Sequence, residues 1–176
     1  MKNLFKAVMM LGIFAFFACE GPPGPPGIPG QDGIVIVGEV FEIGNVNFTS
    51  ANNFQSDYYE FTVPIEPGDK LLAYILWDVV DDTDVWRALP QTNFEFPQFG
   101  IFMYNYDFTR FDFSFFMDGN FDLSALPSEF TRNQVFRVVV FPADLANARM
   151  DFSDFNNVME YMGKTEKDIV QLQPRQ

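Results

Sequence analysis

The chain has 176 residues, with 24 acidic against 11 basic side chains, a formal net charge of −13, no histidine and a single cysteine. That charge argues against nucleic acid or an anionic lipid surface as a partner, because both repel an acidic protein. The lack of histidine removes the commonest general base and metal ligand together with every Ser-His-Asp or Cys-His arrangement, and one cysteine supports neither an internal disulfide nor a thiolate metal cluster.

Residues 1–18 have the three-part layout of a secretory signal. Lys2 and Lys6 give a positive start, and Ala7 to Phe17 form an apolar run of eleven, too short to span a bilayer as a helix, which takes about 20 residues. The stretch Phe16-Phe17-Ala18-Cys19 resembles the lipobox of bacterial lipoproteins, in which a small residue precedes a cysteine that receives diacylglycerol and becomes the new N-terminus. Phe16 departs from the pattern, where Leu is usual. The resemblance implies cleavage before Cys19, lipid on that residue and a membrane as the first partner. An ordinary signal peptide with an incidental cysteine is the alternative. Loss of Lys2 and Lys6 with the signal leaves nine basic residues against 24 acidic ones, a net charge of −15.

From residue 21 the chain reads GPP-GPP-GIP-GQD-G, with glycine at 21, 24, 27, 30 and 33. This is the period-three pattern of collagen, in which only glycine fits at the axis of three polyproline II strands. Four triplets at about 3.1 Å per residue make a rod of about 40 Å, with few interchain hydrogen bonds to hold three chains. Residues 19–33 are therefore expected to be a lipidated cysteine and a stiff single-chain spacer. A monomer follows, with a trimer through the Gly-X-Y segment as the alternative. The even spacing and the absence of a preceding strand exclude a dinucleotide fingerprint.

Residues 34–176 are expected to form one domain, large enough for a core of its own. Val, Ile, Phe and Tyr cluster in short runs divided by Gly, Pro, Asn and Asp, which predicts strands at Ile34–Ile43, Val46–Thr49, Tyr58–Val63, Lys70–Trp77, Val85–Leu89, Gly100–Tyr106, Phe111–Met117 and Val135–Phe141. The run Leu71 to Trp77 is apolar on both faces and predicts a central strand covered on both sides. Phe111, Phe113 and Phe115 alternate with Asp112 and Ser114, giving one dry face and one wet face. Phe152, Phe155, Val158, Met159 and Met162 form an amphipathic helix face over about 153–162, with Asp151 or Ser153 as N-cap, Gly163 just past the end, and a docking place across one end or edge of the sheets. One more short strand is possible at Asp168–Leu172. The fold class is all-β: an antiparallel two-sheet sandwich, immunoglobulin-like or jelly-roll, with a short C-terminal helix.

Two acidic clusters have the oxygen ligands that calcium takes. Asp118, Asn120, Asp122 and Glu129 resemble an EF-hand list, yet Leu123 stands where the glycine of the sharp turn belongs and strands flank the loop. A hairpin turn explains Asp118-Gly119-Asn120 first. Asp78, Asp81, Asp82 and Asp84 read first as a solvated loop. Among the aromatic residues, 18% of the chain, Trp86, Tyr104 and Tyr106 are the better candidates for an exposed binding surface. Phe102, Tyr104, Tyr106 and Phe108 nevertheless share a parity that a core face explains equally well. A glycosidase-type carboxylate pair is the one hydrolytic option that 24 acidic residues leave, and nothing singles out two of them. No enzyme activity and no cofactor are expected.

Signal, lipobox, Gly-X-Y triplets and an acidic, aromatic-rich β domain together resemble the short collagen-like lipoproteins of Gram-negative bacteria. The resemblance implies a lipid-anchored protein of the cell envelope, at the outer membrane, facing either the periplasm or the outside. It brings no catalytic residues. The expected function is a non-enzymatic sandwich in contact with another protein or with extracellular material, with a carbohydrate-binding accessory module of a nutrient-uptake system as the alternative.

Overall fold

The computed structural model describes residues 38–94, 98, 100–143 and 149–175. Cys19, the signal segment, the Gly-X-Y triplets and the start of the strand expected from Ile34 lie outside the described residues. Among the described residues nine strands form two sheets: β1 (Glu39–Val46), β2 (Tyr59–Glu60), β3 (Lys70–Val80), β4 (Thr83–Ala88), β5 (Gln91–Asn93), β6 (Phe102–Phe108), β7 (Asp112–Gly119), β8 (Gln134–Phe141) and β9 (Ile169–Gln171). One sheet has the order β4-β3-β8-β1-β9 and the other β2-β7-β6-β5. The α-helices among the described residues are short, α1 (Ser128–Thr131) and α2 (Phe155–Tyr161), and the domain is mostly β in two sheets, consistent with a β-sandwich.

Period-two alternation builds the core. Phe41, Ile43, Leu71, Ala73, Ile75, Phe136, Val138 and Val140 from the five-stranded sheet share one buried cluster with Tyr59, Phe102, Tyr104, Phe113, Phe115 and Met117 from the other. At its centre Phe115 stacks on Phe136 across the sheets, ring centroids 4.1 Å apart and 14° from parallel. The edge of Phe48 meets the same Phe136 ring at 90°. Such pairs add to area burial, which contributes about 1.5–3 kcal/mol for each large apolar side chain.

The five-stranded sheet is covered on its outer face as well. Val40, Tyr74, Val139 and Phe141 pack there against Phe155, Val158, Met159 and Met162 of the α2 region. This explains why Leu71 to Trp77 has no polar face. It also corrects the docking place: α2 lies on a sheet face, not across an end or edge, because Tyr74, Val139 and Phe141 supply an apolar surface that an edge lacks. The N-cap is Asp154, which accepts from the Asn156 and Asn157 amides. Asp151 is committed one turn earlier to the amide and hydroxyl of Ser153. Gly163, at φ +64°, closes the helix in the left-handed conformation that favours glycine.

Other boundaries move for local reasons. Val46 ends β1 past a register irregularity after Ile43, and Thr49 caps a 3-10 turn at Ser50–Asn52, so no strand runs from Val46 to Thr49. Gly100 takes φ +107°, which delays β6 to Phe102. Asp81 and Asp82, at φ 50° and 58°, make the tight turn of the β3–β4 hairpin, so β3 runs on to Val80. One pairing departs from the all-antiparallel expectation. β9 lies parallel to β1, with Val40 opposite Ile169 and Glu42 opposite Gln171. The chain reaches that edge only after crossing the outer face through α2, the kind of long connection a parallel neighbour requires.

Within this outer layer sits Arg137, on β8 between β3 and β1. Its side chain is 6% exposed. Nε donates to Glu42 Oε2 at 2.9 Å, and the two terminal nitrogens donate to the two Glu166 oxygens at 2.8 and 2.6 Å. The guanidinium also lies 4.2 Å from the Trp86 ring centroid and 4.9 Å from that of Phe155. Removing one partner of a buried ion pair costs about 3–5 kcal/mol, whereas exposed pairs contribute less than about 1 kcal/mol. Arg137→Met leaves behind carboxylates that reach water, Glu42 at 24% and Glu166 at 69% side-chain exposure, and is therefore expected to lower unfolding free energy in urea by about 1.5–3 kcal/mol, the loss of charge-assisted hydrogen bonds. Arg175→Ala, which removes the exposed pair with Glu60, changes it by less than about 1 kcal/mol.

Candidate functional site

β1 begins at Glu39 opposite Val140 and ends at Val46 opposite Gln134. The pole of the domain that carries Gln134 is thus the one remote from the point where the chain enters β1. A cleft of about 390 Å³ opens at this pole, between the end of β3, the α1 segment and the start of β8.

Its apolar wall follows from a bulge. β3 pairs Leu76 with Trp86 and next Asp78 with Val85, so Trp77 is the extra residue, and bulges re-aim side chains in this way. Trp77 packs against the inter-sheet core and carries the Arg87 guanidinium 4.0 Å from its ring centroid. Ile75 and Tyr104, both buried, form the floor. The Tyr104 hydroxyl donates to the Phe130 carbonyl at 2.7 Å, and the edge of Phe130 meets Phe102 at 5.8 Å, which pins α1 over the cleft.

The rim is polar. Gln134 Nε2 donates to the carbonyls of Glu129 and Arg132, both at 2.8 Å. With both N–H groups committed, Oε1 is the part of that amide left to accept. Asn133 sits at φ 52°, a conformation asparagine tolerates, and its amide donates to Asn47 Oδ1 at 3.1 Å. Glu129, in the first turn of α1, and Asp78, whose Oδ1 accepts from the Val79 amide, complete the lining, which contains no basic side chain. The cleft thus offers hydrogen-bond acceptors around an apolar wall, the composition of a recognition site for a polar ligand.

The calcium candidates are divided between two places. Asp118 Oδ1 accepts from the Gly119 amide at 2.7 Å, Asn120 Oδ1 from the Ile101 amide at 2.9 Å and Asp122 Oδ1 from the Ser124 amide at 2.9 Å. All three are occupied in shaping the turn after β7. Asp118 and Asn120 border an open depression with Ile101 and Met103, while Glu129 belongs to the cleft. Leu123 is buried. Among the described residues no three Asp, Glu, Cys or His side chains are placed to hold a metal ion. In the other acidic cluster Asp78 borders the cleft, and Asp81, Asp82 and Asp84 belong to the β3–β4 hairpin.

The aromatic candidates are not exposed. Tyr104 belongs to the core floor, Tyr106 packs against the same core and donates to the Leu71 carbonyl at 2.8 Å, and Trp86 packs under α2. Burial pushes the Tyr104 and Tyr106 hydroxyls above the ordinary phenol value. It does the same at Tyr74, with smaller contributions from Tyr106, Asp154 and Asp151, and pushes Tyr59 up to about 12 with help from Asp57. Sequence reading passed over Gln134, Asn133 and Phe130. The signal available for them was an Asn-Gln pair immediately before the most apolar strand.

Protein families, curated proteins and solved structures yield no match to the chain.

Two outcomes follow. A tyrosine whose pKa is raised on folding holds its proton longer than in the unfolded chain, so its contribution is complete below about pH 10 and is lost as pH rises toward the folded value. Melting temperature is accordingly expected to fall steadily above about pH 10, in step with phenolate absorbance. Since Asp118, Asn120 and Asp122 each hold a backbone amide through Oδ1 and Glu129 lies apart in the cleft, EDTA and calcium are expected to leave the melting curve unchanged. A stabilisation approaching about 2.7 kcal/mol, the value for ligand at a hundredfold excess over Kd, would show that the loop rearranges around an ion.

Proposed function

We propose that this chain is a lipoprotein of the cell envelope, held at the outer membrane by lipid on Cys19, whose domain is a non-enzymatic module for contact with another protein or with extracellular material. The observation that carries the reading is the position of the only cysteine, directly after Ala18 at the end of the apolar run and directly before the Gly-X-Y triplets. The triplets act as a semi-rigid spacer.

The strand order favours the jelly-roll form over the immunoglobulin form. β1 pairs with β8 in one sheet and β2 with β7 in the other, the nested pairing of a hairpin wrapped on itself. An immunoglobulin sheet would place the first two strands side by side, whereas β1 and β2 lie in different sheets. The hairpins β3–β4 and β6–β7 depart from a regular jelly roll.

Cys19→Ser is expected to abolish incorporation of labelled fatty acid and to leave the protein uncleaved or released from membranes. Normal labelling of that variant removes the anchor. For the spacer, chains beginning at Gly21 and at Asp32 are both expected to sediment as monomers. A trimer from the longer chain alone assigns assembly to the triplets.

A further inference from the structure

We infer that the cleft between Trp77, Phe130 and Gln134 binds a neutral saccharide, a step that rests on the contact reading and names what is contacted. A pyranose has an apolar face of C–H groups and a rim of hydroxyls. The cleft presents the complement: apolar surface from Trp77 and Phe130, ringed by the planar polar groups of Asp78, Glu129, Asn133 and Gln134. Of these, Gln134 is held in place by the hydrogen bonds its own Nε2 makes to two carbonyls. Its acceptor is therefore oriented before any ligand arrives, which reduces the ordering cost of binding.

Size and charge narrow the class. About 390 Å³ lies within the range of small-ligand sites, roughly 300–1,000 Å³. A single ammonium group would leave most of that space, and most of the four separated polar groups, unused. Arg87, over the Trp77 ring, is the cation beside the cleft, but the carboxylates of Asp78 and Glu129 in its lining and the excess of acidic groups over the whole chain disfavour uronic or otherwise acidic sugars. An uncharged polyol carries many donors, suits an acceptor-rich rim and meets no repulsion.

The test presents the full chain in detergent to an array of neutral oligosaccharides, acidic oligosaccharides and a lysine-rich peptide. Binding to neutral glycans alone is expected, and the double variant Asp78→Ala, Glu129→Ala is expected to weaken it at least about tenfold, the effect of about 1.4 kcal/mol. Both residues are exposed, and an unchanged melting temperature establishes that the variant is folded. Trp86→Phe leaves Trp77 as the only tryptophan, and the bound sugar is expected to shift its emission. No neutral glycan bound, equal binding by the double variant, or preference for the peptide or the acidic sugars overturns the inference. Lipid labelling of Cys19→Ser reports on the anchor separately, so a failed array beside a normal anchor removes the saccharide alone.

Discussion

A guanidinium in the middle of a five-stranded sheet constrains everything around it. Arg137 interrupts a strand that is otherwise Val, Phe and Val, and its position on β8 gives it no direct path to water. A buried charge left without partners is strongly destabilising. Glu42 meets the need from the adjacent strand, directly opposite in register. Glu166 meets it from the far end of the chain, which must cross the sheet to arrive. The return of the C-terminal segment, the parallel pairing of β9 and the seating of α2 over Tyr74 and Val139 are all compatible with that demand. A hydrophobic residue at 137 would make no demand for carboxylate partners and so would not distinguish this course of the chain from others. Partner choice by a buried charge is the role for which such groups are best attested.

The covered outer face leaves the four-stranded sheet and the two poles to meet solvent. At the pole near the start of β1, Tyr106 joins the sheets through the Leu71 carbonyl. At the opposite pole Tyr104 does the comparable work through Phe130, but here the β3 bulge and α1 stand apart and leave the cleft between them. The same bonds that fix α1 for stability also fix the rim of the site.

What the sequence disclosed follows from period. Phe113, Phe115 and Met117 and the doubly apolar run in β3 were legible because burial leaves a direct imprint, although the face expected to be wet is not, since Ser114 is buried and Phe116 half-buried. The helix face was equally legible from Phe155, Val158, Met159 and Met162. Its cap was not, because Asp151, Ser153 and Asp154 are all good capping residues and only the prior engagement of Asp151 with Ser153 selects among them. β5 escaped notice because Gln91-Thr92-Asn93 carries no apolar signal and is held by β6 alone. The cleft was illegible for a different reason: Asp78, Glu129 and Gln134 are far apart in the chain, and only the sheet register brings them to one pole. Arg137 looked like an interruption in an apolar strand, and its partners at 42 and 166 share no local pattern with it.

If Arg137 organises the outer layer through its carboxylate partners, the three side chains are energetically coupled, and a pair of double-mutant cycles measures that coupling. Arg137→Met is combined with Glu42→Gln in one cycle and with Glu166→Gln in the other, each read by urea unfolding. Burial differs between the partners, Glu42 at 24% and Glu166 at 69% side-chain exposure. The coupling to Glu42 is therefore expected to reach about 1–3 kcal/mol and to exceed the coupling to Glu166. Additivity in both cycles, within about 0.5 kcal/mol, would overturn this and leave the outer layer tied to the sheet by the β9–β1 pairing and the apolar contacts of α2.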